Sequence, residues 1–308
     1  MEENVNMLDK DKFIKKYQLT DCFSRSGLIW ENLQKIYDDY IKKFNDIENC
    51  CNKFETFCRE NFTLDHVVYH SIRCRPKDPE HLIEKIIRKR GKEQSAKYKG
   101  INVENYKDII QDLIGLRILV IKKEDWEIIF DELIKIFPSN PHTDCYMVGD
   151  PEAYIQYGDR DIYKGKIKKE YSNKGYRSQH YIIKFGSYYC EIQVRTLAEE
   201  VYGEFDHLVK YPYRNDNNFL IRYTNILSKL INSIDEIMST CFQMDELGWN
   251  QNADFFEKDK YDDWTTTSQF VIPKSTSEES RSVPKANSKT PINIRNRAND
   301  ILLRKENN

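Results

Sequence analysis

Residues 175–195 read GYRSQHYIIKFGSYYCEIQVR, and their pattern organises everything around them. Two β-type runs flank Gly186-Ser187, a dipeptide suited to a two-residue hairpin turn of type II′. That turn sets a register in which Phe185 faces Tyr188, Ile182 faces Glu191 and His180 faces Gln193. Because strand side chains alternate between faces, Tyr181, Ile183, Phe185, Tyr188, Cys190, Ile192 and Val194 form one apolar layer. The other face carries His180, Glu191, Gln193 and Arg195. An imidazole, a carboxylate, an amide and a guanidinium on one half-buried surface are costly unless water, a metal or a ligand satisfies them. The ordinary wet face of an antiparallel sheet is the competing reading, and register alone does not separate the two. Thr196 and Glu199 have capping-box spacing, so a helix starts directly after the strand, with Leu197, Val201, Phe205 and Leu208 along one side.

Outward from the hairpin, the segment from His66 to Tyr213 alternates β-type and helical runs. His70 to Arg75 reads as a strand, Pro79 to Arg90 as a helix, and Gly115 to Ile121 as a buried strand after a short helix near Val103 to Leu113. Glu124 to Phe137 is an amphipathic helix that Pro138 stops. Two long helices frame this segment. From Leu28 to Cys58 an apolar stripe runs through Leu33, Ile36, Tyr40, Phe44, Ile47, Cys51, Phe54 and Cys58. From about Phe219 to Leu247 a second stripe includes Tyr223, Ile226, Leu230, Ile234, Ile237, Cys241 and Met244. Packing on the domain core is the favoured fate of both stripes, and a seam between two copies of the chain is the alternative.

Composition bounds the function. The 308 residues carry 48 Lys plus Arg against 50 Asp plus Glu, a formal net charge of −2, which excludes a uniformly basic nucleic-acid binder but not a local basic cleft. The longest apolar run, Gly115 to Ile121, is broken by Arg117 and falls far short of the roughly 20 residues of a membrane helix. The acidic N-terminus lacks the blocks of a secretion signal, so a cytoplasmic location without membrane contact is expected. The eight cysteines contain no C-x-x-C pair and no zinc spacing, and they read as reduced bystander thiols. Beyond Leu247 an acidic, aromatic piece (Asp254 to Trp264) gives way to a Thr-, Ser- and Pro-rich stretch that reads as a disordered linker.

Gly175-Tyr176-Arg177-Ser178-Gln179-His180, followed by Glu191-Ile192-Gln193-Val194-Arg195-Thr196, resembles the synthetase domain of the RelA/SpoT family. Arg75-Pro76-Lys77, Asp112 to Arg117 and Glu204-Phe205-Asp206-His207 match further blocks in the same order. By length and by the His207 block, the stand-alone small alarmone synthetases and their toxic relatives are the most similar group. The resemblance implies an α+β fold, a nucleotidyltransferase-like mixed β-sheet flanked by helices, with long N- and C-terminal helices. The chain then divides into an N-terminal helical region (1–60), the synthetase domain (61–215), a C-terminal helix (216–248) and the acidic-aromatic segment with its tail (249–308).

The implied activity is (p)ppGpp synthesis, the Mg²⁺-dependent transfer of the pyrophosphate of ATP to the 3′-hydroxyl of GDP or GTP. Asp112 and Glu191 match the two metal-binding carboxylates, with Glu191, Asp112 and His180 as the catalytic set. Arg75, Lys77, Lys85 and Arg117 match the ATP side, where guanidinium groups stack on adenine or grip phosphate. Tyr176 matches the tyrosine that stacks on the acceptor base, and Lys174, Lys168, Gln193 and Arg195 complete the acceptor side. One departure stands out: the family places Lys before Asn-Gly-Tyr, whereas this chain reads Ser172-Asn173-Lys174-Gly175-Tyr176. A lysine-rich run from Lys164 to Lys174 leaves open a polyanionic acceptor, the tRNA 3′ end, or an adenosine nucleotide, as in the toxic relatives, whose partners include antitoxins. A silent nucleotide-binding module is disfavoured because Asp112, Glu191, Arg75, Arg117 and Tyr176 are all present. Hydrolysis of the alarmone is not expected, since Asp65-His66 and Asp206-His207 reverse the His-Asp order of the family hydrolases.

Overall fold

The computed structural model describes residues 7–64, 68–93, 95–172, 175–210 and 217–246. Lys174, the Asp65-His66 pair and the segment from Leu247 onward, including the expected disordered tail, lie outside the described residues.

Four helices come first: α1 (Lys10–Lys16), α2 (Thr20–Ser26), α3 (Trp30–Lys42) and α4 (Phe44–Asn61). The single long helix expected from Leu28 to Cys58 is thus two, parted at Lys43. Lys43 leaves helical geometry, with φ −95° and ψ 4°, yet its amide still donates to the Asp39 carbonyl at 3.0 Å. The apolar stripe therefore continues across the joint, and with no Gly or Pro to mark the break, periodicity cannot detect it.

The remainder is β1 (Ser71–Pro76), α5 (Pro79–Gly91), α6 (Tyr106–Ile109), β2 (Ile114–Val120), α7 (Trp126–Ile136), β3 (Cys145–Met147), β4 (Glu152–Ile155), β5 (Lys168–Tyr171), β6 (Ser178–Phe185), β7 (Tyr188–Thr196), α8 (Leu197–Lys210) and α9 (Asn218–Glu246). The strands form one mixed sheet in the order β1-β2-β7-β6-β4-β5, with β3 paired to the far end of β6. β2 and β7 run parallel, as do β4 and β5; the other pairs are antiparallel. The fold is the expected mixed sheet flanked by helices. Lys168 to Tyr171, within the lysine-rich run, forms an edge strand.

The hairpin register is as the turn dictates: Phe185 pairs with Tyr188, Ile182 with Glu191 and His180 with Gln193. Gly186 takes the positive φ that a primed turn needs. Ile72, Leu116, Ile118, Ile192, Val194, Tyr181 and Ile183 are buried on one sheet face and share a single core with Leu33, Ile36, Tyr40 and Phe54 of the N-terminal helices and Leu82 and Ile86 of α5. That shared core fixes the sheet, so its other face can be polar without loss of order.

Helix α9 departs most from expectation. Its apolar stripe points outward, with Tyr223 66% and Ile237 63% exposed, while Thr224, Ser228, Asp235 and Ser239 are buried against the domain. Polar bonds hold this inner face. Ser228 Oγ donates to the Gly175 carbonyl at 2.7 Å and accepts from Arg177 Nη1 at 2.9 Å, and Thr196 Oγ1 donates to Asp235 Oδ2 at 2.8 Å. Gly175 is required where the helix comes this close, since a Cβ there would lie 2.8 Å from Ser228 Cβ and 2.3 Å from the Tyr202 hydroxyl, at a φ of +82°. The Leu197 helix behaves likewise: Val201, Phe205 and Leu208 of α8 are exposed.

Burial, and then the Glu199 carboxylate, raise Asp235 to about 7 from an ordinary 3.8. For a carboxyl raised on folding, the contribution to stability is complete below about 3.8 and is lost as pH rises through about 7. Asp235→Asn is therefore expected to raise Tm by about 3 °C or more at pH 8 and to leave it unchanged at pH 4, read by thermal melts at the two values.

Candidate active site

Cross-strand partners place the polar side chains in rows along the sheet. One row runs Arg73, Arg117, Gln193, His180, Glu152 and Lys168 across β1, β2, β7, β6, β4 and β5. A neighbouring row sets Arg75, Gly115 and Glu191 side by side; beyond Gln193, Ser178 pairs with Tyr154 and its Oγ accepts from Arg195 Nε at 3.3 Å. Parallel pairing of β2 with β7 is what brings the Arg117 and Glu191 blocks together from positions far apart in sequence.

A cavity of about 460 Å³ opens over this face, and Arg75, Lys77, Asp112, Arg117, Glu191 and Gln193 line it. Asp112 sits in the turn before β2 rather than on a strand. Its Oδ2 bonds Lys77 Nζ at 2.8 Å and Lys85 Nζ at 2.7 Å, whereas its Oδ1 is buried without a hydrogen-bond partner among the described residues. Burial opposes ionisation of Asp112, but the two lysines outweigh it and hold the carboxyl well below the usual range.

Glu191 anchors a second network. Its Oε1 bonds His180 Nδ1 at 3.1 Å, and Gln193 Nε2 donates to its Oε2 at 2.5 Å. His180 Nε2 lies 2.7 Å from the Tyr176 hydroxyl, which also accepts from Arg195 Nη2 at 2.6 Å. The Arg195 guanidinium stands 4.8 Å over the Tyr176 ring. Burial disfavours a charged imidazole here, yet Tyr176 and Glu191 raise His180 to about 9. Glu191 is lowered in turn, His180 overcoming the cost of its burial. With an imidazolium and a guanidinium around the same oxygen, Tyr176 is lowered against its burial.

The pH window follows. The His180 contribution is complete below its ordinary 6.5 and is lost as pH rises through about 9. Glu191 contributes above its ordinary 4.5 and loses its part as pH falls through its lowered folded value. Turnover is therefore expected to hold level through neutral pH and decline above about 9, and His180→Asn is expected to remove that decline. A pH–rate profile of both proteins checks this.

Sequence reasoning placed Arg75, Lys77, Arg117, Asp112, Glu191 and Gln193 in one cleft, and the structure brings them together. Lys85 joins through Asp112. His180 and Arg195 stand beside that cavity, bonded to Glu191 and Gln193 respectively, and Tyr176 joins them through its hydroxyl. Lys168 shares the His180 row but sits on the edge strand, paired at 2.8 Å with Glu152 and with Glu170.

The family comparison matches residues 74–216 to the model described as "Region found in RelA / SpoT proteins". The chain carries a RelA/SpoT domain. Small alarmone synthetase 1 from Bacillus subtilis is 20% identical, covers 68% of this chain and 98% of its own, and superposes with a TM-score of 0.50. The same enzyme bound to its product pppGpp is 20% identical, with coverages of 67% and 97% and a TM-score of 0.48. A GTP pyrophosphokinase family protein from Streptococcus pneumoniae is 19% identical, with coverages of 79% and 96% and a TM-score of 0.44. At the first of these values the likeness shows a shared fold. No curated protein matches the chain, and no described helix is long and apolar enough to cross a membrane.

Within the RelA/SpoT domain, three contributions escaped the sequence reading. Glu200 and Glu204 of α8 both bond Arg117 Nη1, and Glu200 reaches Arg195 Nη1 at 3.0 Å, so one carboxylate bridges the two arginines. Their i,i+4 spacing on the exit helix was the available signal. His81 lines the cavity and meets His207 with ring centroids 5.8 Å apart. Tyr154 approaches His180 at 4.8 Å and Tyr176 at 5.9 Å, and the strand-like Glu152 to Ile155 run could have flagged it.

Proposed function

We propose that this chain is an alarmone synthetase that moves the β,γ-pyrophosphate of ATP onto the 3′-hydroxyl of GDP or GTP. The observation that carries the reading is the shared cavity: two ionised carboxylates, Asp112 and Glu191, face three cations, Arg75, Lys77 and Arg117. A triphosphate needs such cations to offset its charge, and the transfer needs a carboxylate at the attacking oxygen.

The donor set fits Mg²⁺. Asp112 Oδ1 is a buried, unpartnered hard oxygen, and the ionised Glu191 lines the same cavity. When bound there by Asp112 and Glu191, Mg²⁺ would neutralise phosphate charge. The chain's own residues do the rest. Arg75 makes no ion pair among the described residues and is available to stack on adenine or grip phosphate; Arg117 is held by its edge to Glu200 and Glu204, which leaves its face for stacking. Tyr176, braced by His180 and Arg195, positions the acceptor nucleoside. As the 3′-oxygen bonds the β-phosphorus, the bond to the α,β-bridging oxygen breaks and AMP leaves. Glu191 accepts a hydrogen bond from the attacking hydroxyl and takes its proton late, because a carboxylate lowered by His180 is a weak base.

A small acceptor is favoured over tRNA because three lysines of the lysine-rich segment are already paired with carboxylates. Lys166 pairs with Glu127, Lys168 with Glu152 and Glu170, and Lys169 with Asp161. The acceptor panel tests this: with β-labelled ATP and Mg²⁺, label is expected on GDP or GTP and not on AMP, ADP or bulk tRNA. Label on tRNA alone would overturn the choice of acceptor.

A further inference from the structure

On the helical side of the sheet, α4 lies against β1, and two thiols meet between them. Cys51 Sγ donates to Cys74 Sγ at 2.7 Å. Both cysteines are free, Cys51 buried and Cys74 partly exposed. A disulfide bond is about 2.05 Å long, so a shift of less than about 1 Å joins them. The two elements are already fastened at this point. β1 is the edge strand of the sheet, paired with β2 on one side, and α4 holds its open side: Glu55 Oε2 accepts from the Cys74 amide at 2.9 Å, and Arg59 Nη2 bonds the Ile72 carbonyl.

The place of the pair along the strand gives it a consequence. Side chains alternate along β1, so Ile72 and Cys74 pack on the core while Arg75, the next residue, lines the cavity on the other face, with Lys77 just beyond the strand. We propose that Cys51 and Cys74 are a site of reversible oxidation, where a disulfide ties α4 to the strand that presents Arg75. With hydrogen peroxide as the oxidant, the partly exposed Cys74 sulfur takes one oxygen and releases water, giving a sulfenic acid. The Cys51 sulfur then displaces that oxygen as a second water. Two thiols lose two protons and two electrons, and one peroxide becomes two waters. The hydrogen bond from Cys51, and then burial, hold the Cys74 thiol above its ordinary value, so the first step is slow and quickens as pH rises. The second step needs no search, because its partner is already in contact.

Closing the bond draws β1 toward α4 and moves Arg75 and Lys77 away from the cavity. Oxidation is therefore expected to raise KM for ATP about threefold or more and to leave KM for the acceptor unchanged. That effect rests on the donor-side reading given above; the crosslink does not.

The test treats the full chain with hydrogen peroxide, alkylates the remaining thiols under denaturing conditions and maps the peptides by mass spectrometry. Cys51 is expected to be joined to Cys74 with the loss of two hydrogens, the link to open with dithiothreitol, and Tm to rise by about 5 °C or more while it is closed. Cys51→Ala and Cys74→Ala are each expected to lose the link and the gain in Tm and to keep the KM for ATP of the reduced wild type under peroxide. Alkylation of both cysteines after sustained oxidation, or a link from either to another cysteine instead, would overturn the proposal. So would an unchanged KM for ATP in the crosslinked, active enzyme. A Cys51–Cys74 link in a chain that transfers nothing even when reduced would count against the proposed function and leave the site standing.

Discussion

Glu191→Gln leaves the chain folded and lowers pyrophosphate transfer by about 10³-fold or more. The amide keeps the shape of the side chain and its contact with Gln193, but it cannot take the proton of the attacking hydroxyl, and it gives up the ionised oxygen that the cavity offers to a metal. The fold survives for a reason specific to this site. His180 is held near 9 by Tyr176 and Glu191 together; without the carboxylate its value falls, the imidazole loses its proton, and no buried cation is left unpaired. Label transfer from ATP and a thermal melt on the same preparation separate the two effects. Unchanged turnover in this variant would place the chemistry on another residue.

Asp112→Asn behaves differently, because its partners cannot escape in the same way. Lys77 and Lys85 both close on Oδ2 of Asp112 in a largely enclosed corner of the cavity. Removing the shared anion leaves two facing ammonium groups, and loss of a buried partner of this kind costs about 3 kcal/mol. Transfer falls by about 10³-fold as well, since the negative charge is lost and the one remaining oxygen is drawn to the two lysines, which leaves an NH₂ where Asp112 offered its unpartnered Oδ1. Chemical denaturation reads the first effect and label transfer the second. Adding Lys85→Met to Asp112→Asn is expected to recover most of the stability and none of the turnover. Recovery of both would mean that Asp112 merely offsets the lysines.

The hairpin was legible because two local rules agree there. A Gly-Ser turn fixes the register and a period of two fixes the faces, so His180, Glu191, Gln193 and Arg195 could be placed on one surface from sequence alone. The capping box from Thr196 to Glu199 is equally local, and both of its bonds form at 3.0 Å. What escaped depends on distant partners. Periodicity gives α9 a stripe but not the direction it faces, and that direction is decided by Gly175, Arg177 and Thr196 meeting Ser228 and Asp235. The joint at Lys43 is invisible for the converse reason, since the core stripe runs unbroken through it. Glu200 looked like one more acidic residue in a first helical turn, and only the parallel pairing of β2 with β7 brings Arg117 and Arg195 to it together.

Phosphorus NMR of the full reaction, with ATP, GDP and Mg²⁺, bears most directly on the claim that this cleft moves a two-phosphate unit in one step. The account predicts AMP and a new 3′-linked pyrophosphate growing in equal amounts, with neither ADP nor inorganic phosphate accumulating. Growth of ADP with a single phosphate on the acceptor, or release of free pyrophosphate with the acceptor untouched, would contradict it.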